Sequence, residues 1–223
     1  VSSIRTEWLE LSTRQKGDEG NPVLVTEELF VFSAIGGFLN DLRKSISIIR
    51  TTGKAPRLKK DISWGSLPGK RIKPNGLLDK MLLPGISIDV LFKPGTGNDE
   101  ISQNQALRYV EPDSDGATCL ILAAGNVGHL LAIDVLTKLF VDRRVVLCKF
   151  NPINEYLGPV YEKGFAPLIE AGILRFAFGG RETGKFLATH ADIDELHLTG
   201  SKGTYEAIVY GTDSDAQKRI EKN

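Results

Sequence analysis

The chain has 223 residues, enough for one large domain or two small ones, and its 41% hydrophobic and 25% charged residues need neither disulfide nor metal to build a core. Lysine plus arginine balance aspartate plus glutamate at 28 each, which excludes a global field that would recruit nucleic acid or anionic lipid. Only Cys119 and Cys148 could form a disulfide, and both sit in apolar runs where inert buried thiols are the rule; with no apolar stretch read as reaching the roughly 18 residues of a membrane span, a cytoplasmic protein without nucleic-acid or membrane partners is expected.

In chain order, the segment from Thr26 to Gly53 places Leu29, Phe32, Ile35, Phe38, Leu39, Leu42, Ile46 and Ile49 at helical spacing. Gly36-Gly37 stands as an interruption and Gly53 as a C-terminal stop. Residues 54–76, rich in Lys, Pro and Gly, read as a long surface connection. ISIDVLF and ALRYVEP read as strands, separated by KPGTGNDEISQNQ.

From residue 116 the pattern becomes regular. TCLILAA, RVVLCKF, ILRFAF and ELHLT have strand length and composition. They alternate with helical stretches: GHLLAIDVLTKLFVD, then NEYLGPVYEKGFAPLIEAG with Pro159 and Pro167 as break points, then ETGKFLATH and KGTYEAIVYG. Strands alternating with helices predict an α/β fold, an open and mostly parallel sheet with helices on both faces, preceded by a helical N-terminal region. The expected division is 1–112 for the helical region, basic connection and strand pair, and 113–223 for the βαβ core, the two being parts of one domain. Ligands of such sheets bind beyond the carboxyl ends of the strands, which here are Gly125-Asn126, Lys149, Gly179-Gly180 and Thr199-Gly200-Ser201.

Each strand end carries groups with a chemical and a structural reading. Gly180 and Gly184 let backbone approach a pyrophosphate at a helix N-terminus, or serve turn and helix packing. Ser201 fits an N-cap. Lys149 is a donor to ribose or phosphate, or a strand-end lysine with its head in water. Asn126 offers two N–H donors that never ionise, suited to a developing oxyanion, or fills a turn or cap. His129, His190 and His197 do not cluster at metal-ligand spacing, so no metal site is assigned.

Together LILAAGN, RVVLCKFNP, GGRETG and ELHLTGS resemble the cofactor-binding half of the aldehyde dehydrogenase superfamily, over residues 110–211. Asn126 and Lys149 lie 23 residues apart and Gly184 and Ser201 lie 17 apart, both as that family's pattern has them. The resemblance implies a Rossmann-like sheet binding NAD or NADP. It also implies that Asn126 helps bind the carbonyl oxygen of a small-molecule aldehyde or acyl substrate, that Lys149 reaches the adenosine ribose, and that Gly180, Gly184, Gly200 and Ser201 lie beside adenine and pyrophosphate. Three departures accompany it. Pro152 stands where the family often has a ribose-binding glutamate, and Gly125 where many members have an aromatic residue. The family's nucleophilic cysteine and water-activating glutamate fall downstream of the matched region, so a catalytic domain is expected outside these residues and the chain alone is expected to be inactive. In the reaction so implied, a thiolate attacks an aldehyde, Asn126 and a backbone N–H stabilise the oxyanion, and nicotinamide accepts hydride. An acyl-CoA or acyl-phosphate reductase of the same superfamily, or a non-catalytic nucleotide-binding protein, is the alternative. ALRYVEPDSDG resembles the start of the family's protruding strands, which by analogy implies a homo-oligomer.

Overall fold

The computed structural model describes residues 2–58, 60–74, 76–82, 84–110, 116–212 and 215. Contacts divide the chain into two units, one built from Val1–Leu42 and Asp113–Asn223 and the other from Arg43–Pro112.

The first helix, α1 (Arg5–Gln15), follows a 3-10 turn and buries Trp8. The second, α2 (Pro22–Thr52), runs unbroken through Gly36-Gly37 and starts earlier than its periodicity predicts. Its start has a local cause: Pro22 carries no N–H to satisfy, and Asn21 Oδ1 accepts from Val23 N at 2.9 Å and more weakly from Leu24 N. At 31 residues, α2 is long and apolar enough by length and composition to cross a membrane, which corrects the reading that no stretch reaches that length. Its Phe32 and Ile35 are nevertheless packed into the core of the first unit.

The second unit overturns two expectations. Residues 54–76 are not a plain connection: β1 (Lys60–Trp64) and β2 (Leu67–Lys73) form an antiparallel hairpin, and β2 pairs on with β3 (Ile88–Leu91), the expected ISIDVLF strand. The turn is Gly65-Ser66, and Gly65 takes φ +58°, as two-residue hairpin loops require. Charge pairing holds the strands in register, with Asp61 against Lys70 and Arg71 bidentate on Asp89 at 2.8 and 3.0 Å. Helix α3 (Leu77–Leu82) lies between β2 and β3, and α4 (Asn98–Gln103) follows β3. The segment read as the strand ALRYVEP is instead the helix α5 (Leu107–Val110), entered through Ala106, whose carbonyl accepts from Tyr109 N. The remainder of that segment, 111–112, lies outside the described residues.

The regular part folds as its alternation predicts. In order come β4 (Thr118–Leu122), α6 (Leu130–Phe140), β5 (Val145–Lys149), a 3-10 turn (Pro152–Leu157), α7 (Gly158–Gly164), α8 (Ala166–Glu170), β6 (Leu174–Ala177), α9 (Arg181–Ala188), β7 (Glu195–Leu198) and α10 (Lys202–Val209). Pro159 and Pro167 fall in the first turns of α7 and α8, where a missing N–H costs nothing. The four strands are parallel in the order β6-β5-β4-β7. The chain thus moves outward from β4 to β6 and then crosses back to lie on the other side of β4, which opens a crevice at the strand carboxyl ends between β4 and β7.

Strand alternation sorts the side chains. Cys119, Ile121, Val146, Cys148 and Phe150 join one core with Trp8, Phe32, Val135, Leu136 and Tyr161. Residues one step out of phase face α9: a Cβ added at Gly184 would lie 4.0 Å from Leu122 and 3.7 Å from the Lys149 stem. Helices therefore lie on both faces, as right-handed crossovers dictate.

Candidate functional site

The loops after β4, β5, β6 and β7 line one cleft of about 1600 Å³. Asn126, Lys149, Gly180, Gly184, Gly200 and Ser201 all contribute to its wall. Four separate loops, up to 75 residues apart in sequence, thus converge, each for a traceable reason.

The loop after β4 is held from behind. Asn154 is buried, and its Nδ2 donates to Ala124 O at 3.0 Å and Gly125 O at 3.2 Å. Tyr161 Oη donates to Gly128 O at 2.6 Å. Glycine at 125 is dictated by Asn151: a Cβ there would meet that amide at 2.8 Å, while Asn151 Oδ1 caps the following turn by accepting from Ile153 N at 3.2 Å. Between these braces Asn126 is exposed to the cleft, and its amide has no hydrogen-bond partner among the described residues. It caps nothing; the N-cap position of α6 is His129. The His129 Nδ1 is buried without a partner among the described residues, and burial lowers the imidazole pKa against the opposing pull of Glu28.

Lys149 does not extend into water as a strand-end lysine would. It is buried, with its Nζ donating to Phe150 O at 2.8 Å. Burial lowers its pKa, opposed by the nearby charge of Glu155. Glu155 also accepts from Gly179 N at 2.6 Å, pinning the loop after β6 to the turn after β5. Gly179 takes φ +114° and a Cβ there would collide with Thr183 at 2.5 Å, so this turn requires glycine.

The two helices that open onto the cleft end differently. At α10, Ser201 Oγ accepts from Thr204 N at 3.2 Å, so its hydroxyl is an N-cap, as its position suggests. At α9, Gly180 occupies the N-cap in extended conformation with no side-chain cap. The first N–H groups of α9 therefore lack a side-chain acceptor, and that end carries the positive pole of the helix. A Cβ at Gly180 would meet nothing within 4 Å.

Sequence reasoning missed several cleft residues. Arg181, Glu182 and Lys185 of α9 line it, and the i, i+4 spacing of Arg181 and Lys185 beside Gly184 was the available signal. Thr199, at a strand end already named from the sequence, also lines it, its hydroxyl donating to Asp134 at 2.8 Å while Asp134 faces His197 at 3.3 Å. Asn154 and Tyr161 left no sequence signal, since their roles depend on the loop they meet.

Cys119 and Cys148 are fully buried, and neither lines the cleft. Burial pushes the Cys119 thiol up to about 11 and the Cys148 thiol well above its usual value, so neither is a thiolate near neutral pH. Among the described residues no cluster of three or more metal-ligating side chains occurs. No protein-family model matches the chain.

Proposed function

We propose that this chain is the NAD- or NADP-binding portion of an aldehyde dehydrogenase-like oxidoreductase, with a Rossmann-like sheet in that superfamily's own geometry. The observation that carries this reading is the convergence of Asn126, Lys149, Gly180, Gly184, Gly200 and Ser201 on one cleft, with the Asn126 amide left uncommitted.

The residues present fit a dinucleotide. The uncapped start of α9 and the glycines around it give a surface where backbone N–H groups can meet a pyrophosphate. Lys149 is held below α9 with two of its three ammonium protons not used by Phe150 O, available to ribose or phosphate oxygens. The Ser201 hydroxyl is spent on its helix, so its contribution is to fix the direction of α10 and the Gly200 backbone. When bound, the nicotinamide supplies the hydride acceptor. The chain's own residues bind and orient it, and Asn126 presents N–H donors to a substrate carbonyl oxygen as negative charge develops there. A thioester-forming oxidation also needs a thiolate, which neither Cys119 nor Cys148 provides, so the chain by itself is expected not to turn over aldehydes.

Binding is the direct test. A cofactor that binds only the folded state stabilises it by about 2.7 kcal/mol at a hundredfold excess over Kd, so millimolar NAD or NADP should raise the melting temperature by several degrees. A melting curve indifferent to both cofactors refutes the proposal.

A further inference from the structure

The cleft has an imbalance of charge that the dinucleotide reading leaves unused. Three cations line it, Lys149, Arg181 and Lys185, against the single carboxylate of Glu182. Arg181 and Lys185 are exposed, one helical turn apart, and among the described residues neither has a carboxylate partner. The chain as a whole is neutral, so this surplus is local.

No carboxylate from the end of β5 lines the cleft to accept from a ribose diol. A free 2′-hydroxyl is usually recognised by a carboxylate, whereas a 2′-phosphate calls for cationic donors. Here Asn151 Oδ1 already accepts from Ile153 N. Pro152 has no polar atom in its side chain. Glu155 spends Oε1 on Gly179 N, and it is not among the residues that line the cleft. Gly184 brings α9 against the Lys149 stem, so the buried ammonium and the two exposed cations belong to the same wall.

Resting on the dinucleotide reading above, we infer that the cleft selects a cofactor whose adenosine ribose carries a phosphomonoester, NADP(H) over NAD(H), through Arg181 and Lys185 acting beside Lys149. The selectivity is electrostatic. It is strongest where the phosphate is a dianion, above its second pKa of about 6, and it weakens with added salt because two of the three cations are in solvent.

The test is a fluorescence titration of the chain with NADPH and with NADH at low ionic strength and pH about 8, where the 2′-phosphate is doubly charged. NADPH should bind about tenfold or more tightly than NADH, a difference of one charge-assisted contact. The double variant Arg181→Gln with Lys185→Gln should bring the ratio to about one by weakening NADPH alone. Its melting temperature without ligand should be unchanged, since neither side chain has a partner to lose among the described residues. Equal or tighter binding of NADH, or a preference that survives the double variant, overturns the inference while leaving dinucleotide binding intact. Failure of both cofactors to bind overturns the dinucleotide reading itself and the inference with it.

Discussion

Two asparagines, 28 residues apart in sequence, carry opposite assignments that stability measurements separate. Asn154 is buried and donates twice, to Ala124 O and Gly125 O; Asn126 is exposed and donates to nothing among the described residues. Replacing Asn154 by Ala removes two hydrogen bonds, each contributing about 1 kcal/mol net, and leaves the buried Ala124 carbonyl to bear part of a desolvation penalty. The expected loss is about 2–3 kcal/mol. Replacing Asn126 by Ala removes no hydrogen bond among the described residues and should move stability by less than about 0.5 kcal/mol. Urea unfolding monitored by intrinsic fluorescence is suited to the comparison, because Trp8 is 1% exposed in the same unit while Trp64 is already 75% exposed. The midpoint should fall for Asn154→Ala at constant slope and stay in place for Asn126→Ala. Equal effects from the two variants, or a neutral Asn154→Ala, would refute the claim that one amide builds the loop and the other is kept for the cleft.

The thiols offer a second check. Because both folded pKa values are raised, the cysteines contribute stability that is fully present below the unfolded value of 9.0 and, for Cys119, lost as pH rises toward about 11; the Cys119 share is on the order of 2–3 kcal/mol. Unfolding across that range should be steeper in pH for the native chain than for the variant with both cysteines changed to Ala, and Ellman's reagent should react with neither thiol until the chain is unfolded. A rapidly reacting native thiol would contradict the buried assignment. Gly158→Ala tests packing behind the site: the new Cβ would meet the Phe178 ring at 2.7 Å, and that ring stacks on Phe150 with centroids 5.1 Å apart. Overpacking there should cost about 1–3 kcal/mol, read as a lowered melting temperature, and a neutral outcome would mean that the ring has room to retreat.

The parts of the fold legible in the sequence are those where burial dictates composition. β4 and β5 are covered on both faces, so they read as continuous apolar runs, and the helix between them, α6, buries Leu131, Ala132, Val135, Leu136 and Leu139 along one stripe. Strands β1 and β2 escaped because what holds them lies on partner strands: Asp61 of β1 against Lys70 of β2, Arg71 of β2 against Asp89 of β3, and Gly69, where a Cβ would collide with Val90 O of β3 at 2.8 Å. Lys, Pro and Gly in such a strand look like loop until the partner strand is known. Likewise α1 is mostly polar, and the large side chain it buries is Trp8, whose Nε1 donates to the buried Glu28 of α2 at 2.9 Å. Nothing in the periodicity of either helix announces that bond. At the site, each strand end could be named from the sequence, but the partners that decide what each residue is free to do could not.

That distinction is the basis of the functional argument. A polar residue at a strand end is ambiguous until its hydrogen bonds are accounted for, because buried polar groups are almost always satisfied. The loops beyond β4, β5 and β6 show two populations. Asn151, Asn154, Glu155 and Tyr161 are occupied with backbone groups and hold the loops in place. Asn126, Arg181 and Lys185 face the cleft with no such partner among the described residues. Holding an unoccupied donor at a fixed place costs side-chain and backbone entropy, and here that cost is offset by a dedicated set of internal bonds. Scaffolding of this kind is what the proposed dinucleotide binding would draw on, since a preorganised site loses less entropy when its ligand arrives.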